Sequence, residues 1–528
     1  MLSKDHDKPS QIQMISVDQL VPQDHLLRKI DKYIDFSFIY ELVEDKYSAD
    51  RGRPSLDPVM LIKIPLIQYL YGIKSMRQTI KEIEVNMAYR WFLGLDFCDP
   101  VPHFTTFGKN YTRRFEGTDL FEQIFTEILF QCMKSGLVDG NDIFIDSTHV
   151  KAHANKKKSK KILVAKKAAR FYDEQLKTEI DDDRKEHGKK PLKDHDSDDN
   201  DKDNDDNDDS GCSNSASGED TVKEQKVSTT DPESGWFHKG EHEEVFAYNI
   251  QTGCDKHGWI LGFTVHPANE HDSKTFPSIY AKMKSFLPSH IIADAGYKTP
   301  AVAKMMIDDG IIPVFPYHRP MTKAGFFRKY EYVYDEYYDC CICPNNQILK
   351  YSTTNREGYR EYKSNPMVCS SCPMLHQCTL SKNHQKVVTR HLWESYMETC
   401  EEIRHSEGMK ELYDLRKQTI ERTFGTAKEH HSMRYTHQIG KGKMTMKVAL
   451  TFACMNMKKL SRLMSLRESR SDAKVSGALR AVTFGGRRHL AFFGGKTAFT
   501  TESRLSQGRR AKRALTKSVW LAVGEDRA

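Results

Sequence analysis

No stretch of this 528-residue chain is long and apolar enough to cross a membrane. The longest candidate, residues 59–73 (VMLIKIPLIQYLYGI), is short and broken by Lys63 and Pro65. No secretory leader is visible, since the opening MLSKDHDKPSQ is polar. A disulfide framework is missing too. The twelve cysteines are scattered apart from one cluster over residues 340–378, which suits a reduced cytoplasm. These absences argue against membrane and small secreted classes. They leave a cytoplasmic chain of roughly two to four folding units.

What is present is charge, and it is segregated. The net +7 conceals a basic run at residues 151–170 (KAHANKKKSKKILVAKKAAR) and ten aspartates among residues 194–209. Such separation suggests a surface facing nucleic acid and a solvated acidic tether, although a basic run is often only an exposed helix face. Over residues 171–228 the Asp, Asn and Ser content is too polar to bury a core, and a disordered insertion is expected.

The first part of the chain, residues 15–135, reads as helical. SLDPVMLIKIPLIQYLYGI has a Ser/Asp–Pro start and helical apolar spacing, and SMRQTIKEIEVNMAYRWFLGL gives a second helix after Gly72. HFTTFGKNYTRRFEG gives a third, basic one with Lys109, Arg113 and Arg114. Helices in this order suit a helix-turn-helix module whose last helix enters a DNA groove; a helical dimerisation or scaffold domain is the alternative. From residue 141 the periodicity changes. IFIDST, EVFAYNIQTGC, WILGFTVHP, HIIADAG and IIPVFPY are strand-length, with helix-like HDSKTFPSIYAKMKSFL and TPAVAKMMIDDG between them, so a mixed α/β layer fold is expected.

Two of these apolar runs deliver an aspartate: Asp146 after Ile143-Phe144-Ile145, and Asp294 after Ile291-Ile292-Ala293. Singly, each would be a turn residue capping its own backbone. A third acid, Glu421, lies on the helical segment 416–437, with Lys428 two turns further on the same face and Arg422 and Arg434 close by. Carboxylates are the hard ligands taken by Mg²⁺ or Mn²⁺. Two such ions can activate a water or a 3′-hydroxyl and stabilise the leaving oxygen of a phosphodiester. A solvated helix face is the plainer reading of Glu421. Among rival acids, Asp272 in NEHDSKTF reads as a helix N-cap, Asp142 and Asp231 as turn formers, and Glu429 points away from Lys428.

IFIDSTHVKAHA, FAYNIQTGCD, VHPANEHDS, IIADAGY and IERTFGTAKEHHSMRY together resemble the DDE transposases of bacterial insertion sequences. GRPSLDPVMLIKIPLIQYLYGIKSMRQ and YRWFLGL are similar to the InsH-type transposase N-terminal domain, so the resemblance covers roughly residues 15–460. It implies an RNase H-like catalytic core, a mixed sheet with flanking helices, over residues 140–335 and 395–464, plus an all-α N-terminal domain. It also implies two Mg²⁺ or Mn²⁺ ions on Asp146, Asp294 and Glu421, and binding and cutting of the inverted repeats at the element's ends. The partners would be double-stranded DNA, both element end and target, and further copies of the chain in a homodimer or higher oligomer at the nucleoid. Some relatives carry Tyr and Arg seven and four residues before the Glu, and Lys seven after. Here those places hold Asp414, Lys417 and Lys428, while Tyr413 and Arg416 sit one position early. A DNA-binding regulator that no longer cuts is the alternative function.

Two regions remain. Within residues 336–394, Cys340-x₂-Cys343 and Cys369-x₂-Cys372 have the spacing of a structural zinc site, with Cys341 and Cys378 nearby; buried free thiols are the alternative. The tail, residues 465–528, turns from Lys to Arg and loses helical periodicity, and it reads as a disordered or foreign extension or as a basic DNA-binding arm.

Overall fold

The computed structural model describes residues 14–48, 55–164, 170–192, 223–239, 243–317 and 322–484. The first part is helical throughout. Its central helix, Pro58–Leu70, starts on Asp57, whose carboxylate accepts the Val59 N–H at 2.8 Å with Pro58 at the first helical position. This helix is apolar on nearly every side and is accordingly buried on nearly every side. Lys63, which interrupts the run, pairs with Asp31 at 2.9 Å and lies over the rings of Phe36 and Phe92. The segment expected as one helix after Gly72 is two, Met76–Val85 and Met87–Leu93. Asn86 stops the first and caps the second by accepting the Ala88 N–H at 2.9 Å.

The α/β part is a six-stranded sheet. Its first strand is β1 (Asp142–Lys151). An excursion follows, in which β2 (Ser159–Val164) pairs with β3 (Lys223–Ser228). The chain then forms β4 (Gly235–Lys239), β5 (Glu243–Asp255), β6 (Ile260–Pro267), β7 (His290–Ile292) and β8 (Ile312–Val314). The order is β4-β5-β1-β7-β8, with β6 also on β5. Strand β5 pairs with β1 along one edge and serves two partners along the other, its first residues pairing with β4 and the rest with β6. β5 is antiparallel to both β1 and β6, whereas β7 and β8 run parallel to β1 through the helices Asp272–Lys284 and Pro300–Asp308.

The helix Lys441–Phe484 joins the two parts. It packs on Leu120–Lys134, Leu26–Tyr33, Pro58–Leu70 and β6. Asn456 is fixed at both ends of its amide, accepting the Ile260 N–H at 3.1 Å and donating to the Ile260 carbonyl at 2.9 Å. One apolar core therefore runs from Val21 to Leu460 across the boundary expected near residue 135.

The insertions depart from expectation. Residues 170–186 form a helix and 223–228 a strand, so both ends of the region expected to be disordered are structured; residues 193–222 lie outside the described residues. The reason is a partner. The helix docks on a second, all-antiparallel sheet built from β9 (Val333–Asp335), β10 (Cys340–Ile342), β11 (Ile348–Thr354), β12 (Tyr359–Lys363) and β13 (Val387–His391). Asp183 accepts from Arg360 Nε at 2.7 Å, Arg184 donates to the Thr354 carbonyl at 2.8 Å, and His187 reaches Asp339 at 2.7 Å.

Candidate active site

Strand register brings the two aspartates together. β1 and β7 pair in parallel as Asp142↔His290, Ile143↔Ile291 and Phe144↔Ile292. Two residues beyond the last pair stand Asp146, on β1, and Asp294, just past the end of β7. Successive side chains alternate between sheet faces, so Asp146 shares the face of Phe144. That face is covered by the helix Ile420–His430, whose Ile420 and Phe424 pack with Phe144, Ile292 and Val314. Glu421 stands beside Ile420 in the first turn of that helix. The Asp146 position differs from the sequence reading in one respect: it is inside β1, where β7 has ended, and not at the strand's own end.

Asp146 is held on both oxygens. Oδ1 accepts the Ser147 N–H at 2.8 Å and Oδ2 accepts from Arg416 Nη2 at 2.7 Å. Arg416 is itself buried and donates to the Tyr413 hydroxyl at 3.0 Å. Burial pushes the Asp146 carboxyl up to about 6. The Arg416 charge and the Ser147 N–H oppose that rise, while Asp294 and Asp272 add to it. Asp294 folds its Oδ1 onto the Gly296 N–H at 2.8 Å.

Asp272 belongs to this cluster. The helix it opens is capped by His271, whose ring accepts the Ser273 N–H, so Asp272 is free of the capping role read from the sequence. Its carboxylate takes Ser147 Oγ at 3.0 Å and Asn249 Nδ2 at 2.7 Å. A Cβ placed on Gly296 would sit 3.1 Å from Asp294 Oδ1 and 4.0 Å from Asp272 Oδ2, so both carboxylates border the same small space. The buried Tyr297 phenol is pushed well up, by burial first and then by the charges of Asp272, Asp146 and Asp294. The other rivals are structural: Asp231 accepts from the Tyr248 hydroxyl at 2.8 Å, and Asp142 pairs with His290 at 2.9 Å.

Glu421 is exposed and, among the described residues, makes no hydrogen bond or ion pair. Among the described residues, no three His, Cys, Asp or Glu side chains stand close enough to hold an ion as they are. Arg422 is exposed and Lys428 half-buried on the same helix, while Arg434 is ion-paired with Glu429. In the N-terminal part, Lys109 and Arg113 are exposed on a six-residue helix continued by a π turn. Arg114 instead folds over the Tyr47 ring, 4.4 Å from its centroid.

The zinc candidates divide. Cys340 lines a cavity with His187 and Asp339, apart from Cys343, Cys369 and Cys372, which line a second cavity together with Cys378. Side chains alternate along β10, so Cys343, just past its end, falls on the side of Cys341 and away from Cys340.

Compared with known families, residues 15–113 match the model of a transposase domain designated DUF772, and residues 342–461 match that of a transposase DDE domain. No curated protein and no solved structure matches the chain.

Proposed function

This chain belongs to the DDE-type transposases of insertion sequences, and from that premise we propose that it binds the terminal inverted repeats of its own element, cuts them and joins the 3′ ends to target DNA. The sheet order β6-β5-β1-β7-β8, three antiparallel strands followed by two parallel ones, supports an RNase H-like core. The observation that carries the site is the parallel register that aligns Asp146 with Asp294 on the face covered by the Glu421 helix.

The donor set fits a hard divalent cation. Asp294 and Asp272 both repel the Asp146 carboxylate, and that repulsion is what a cation would relieve. Asp146, Asp294 and Glu421 would hold Mg²⁺ or Mn²⁺, two ions in all. When bound, the ions supply activation of a water or 3′-hydroxyl and stabilisation of the leaving oxygen. Arg416 fixes the Asp146 carboxylate and offsets its charge before DNA arrives. Asp272 holds Ser147 and Asn249 beside it. Lys428 and Arg422, on the Glu421 helix, face phosphates together with Arg434, which exchanges Glu429 for the DNA backbone. Lys109 and Arg113 do the same from the N-terminal part, in a homodimer or higher oligomer on the ends.

The test is nicking of a duplex carrying the flanking inverted repeat, with and without Mg²⁺ or Mn²⁺. Asp146→Ala, Asp294→Ala and Glu421→Ala should each lower cleavage by at least about a hundredfold while duplex binding persists. Near-normal cleavage by one variant would remove that residue from the site. Binding without cleavage by the unaltered chain, whatever the metal, would make it a DNA-binding regulator.

A further inference from the structure

The second sheet has little to hold it. Its apolar cluster is Cys341, Leu349 and Tyr362, with Tyr334, Cys343, Tyr351 and Val388 half-buried around them. From Ser364 to Lys386 the regular structure is two four-residue helices, Pro366–Cys369 and Leu375–Cys378, and Met367, Val368 and Leu380 are exposed. So small a buried surface does not offset the entropy of ordering the segment. Units of this kind are ordinarily fastened by a cross-link or a metal.

The fastening is at hand. Cys343 from the turn after β10, Cys369 and Cys372 from the first short helix and its exit, and Cys378 from the second line one cavity of about 20 Å³. That is room for one water-sized body. Polar groups already address the sulfurs. The Gln347 N–H donates to Cys343 Sγ at 3.3 Å, Asn345 Nδ2 donates to Cys372 Sγ at 3.5 Å, and the Tyr332 hydroxyl lies 3.2 Å from Cys378 Sγ. The two N–H donors aimed at sulfur favour the thiolate and orient it as a ligand. The turn that aims Cys343 is closed by the Asn346 N–H on the Cys343 carbonyl at 2.8 Å, with Asn346 in the left-handed region at φ 54°. Cys341 belongs to the apolar cluster and Cys340 to the other cavity, so neither competes.

We propose that Cys343, Cys369, Cys372 and Cys378 form a four-thiolate structural zinc site that holds the Ser364–Lys386 segment against the second sheet. The four side chains share a cavity lining without yet forming a coordination shell. Ligation draws them inward, each thiol releasing its proton to solvent as its sulfur binds the ion. The site is independent of the cleavage chemistry.

The full chain, purified under reducing conditions from zinc-supplemented medium, should carry about one zinc per chain by elemental analysis. Cys378→Ser should lose the metal and Cys340→Ser should keep it. Because Cys378→Ser could unfold the segment, the unaltered chain exchanged with Co²⁺ gives a second measurement, and it should show the intense visible bands of a tetrahedral thiolate complex. Zinc retained by Cys378→Ser or lost by Cys340→Ser would overturn this ligand set. A metal-free chain whose thiols all titrate freely would overturn the site.

Discussion

At the scale of single residues, Arg416 decides how Asp146 behaves. The two side chains are 7% and 15% exposed and 2.7 Å apart, so solvent screens the pair little. Removing the guanidinium alone strands a buried carboxylate. We expect Arg416→Ala to destabilise the chain by about 3 kcal/mol, and Arg416→Lys to recover only part, since an ammonium lacks the planar fork. Urea unfolding of Arg416→Ala, Asp146→Asn and the double variant should show a coupling above about 1 kcal/mol; simple additivity would mean that the pair contributes nothing. Asp272 invites a separate measurement. Asp272→Asn preserves size and should leave the fold intact, yet it removes a charge from the notch, so Mn²⁺ binding followed by calorimetry should weaken about tenfold. Unchanged affinity would reduce Asp272 to an anchor for Ser147 and Asn249.

Elements explain what the sequence could and could not tell. Asp146 and Asp294 were legible because each follows a short apolar strand, and strand signals are local. Their adjacency depends on a parallel register between segments more than a hundred residues apart, which no local pattern encodes. Arg416 was harder. Counting back from Glu421 assumes one continuous helix, but Leu415–Lys417 is a 3₁₀ turn and Thr419, at φ −106° and ψ −92°, is not helical. The changed rise and rotation bring Arg416 to Asp146 from a position that looked one residue out of place. Asp272 reads as a cap because an Asp before a helix usually serves as one, and here His271 does so. The far end of the Glu421 helix is set by equally specific contacts. Gly72, at φ 66°, lies so close that a Cβ there would be 2.7 Å from the His430 carbonyl oxygen. Gly72→Ala should therefore cost at least about 1–3 kcal/mol, read as a lower urea midpoint. A neutral result would mean that the joint gives way easily. His431, in the same joint, is buried with Nδ1 donating to the Tyr69 carbonyl at 2.7 Å. Burial holds its ring down to about 4 from the ordinary 6.5. Because the folded value is depressed, the stability of the neutral ring is complete above 6.5 and is lost as pH falls toward 4. His431→Gln should flatten the change in urea midpoint between about pH 7 and pH 5; an unaltered slope would assign it to other groups.

For the whole molecule, the long helix Lys441–Phe484 matters more than any boundary read from composition. Its stretch from Met444 to Leu460 is buried against N-terminal helices on one side and β6 on another, so the sheet bearing the acids and the helical part have a common core. The helix also continues past residue 464, so residues 465–484 are helical where a structureless tail was expected, and residues 485–528 lie outside the described residues. Burial, however, fades well before the helix ends. After Ser461 the side chains to residue 470 are half-buried or exposed, and the contact of Lys32 with Glu468 joins side chains 58% and 45% exposed, a pair that adds little in water. A chain ending after Met464 should accordingly keep its fold, with a urea midpoint close to that of the full chain. One ending after Val448 should not fold, because Phe452, Ala453, Cys454, Met457 and Leu460 leave the core together and Asn456 releases both its bonds to Ile260. Comparing DNA binding by the Met464 chain with that of the full chain then isolates the basic tail. Equal affinity for the element end at each salt concentration would mean that the tail makes no phosphate contacts, whereas a shallower salt dependence in the shortened chain would identify it as a working arm.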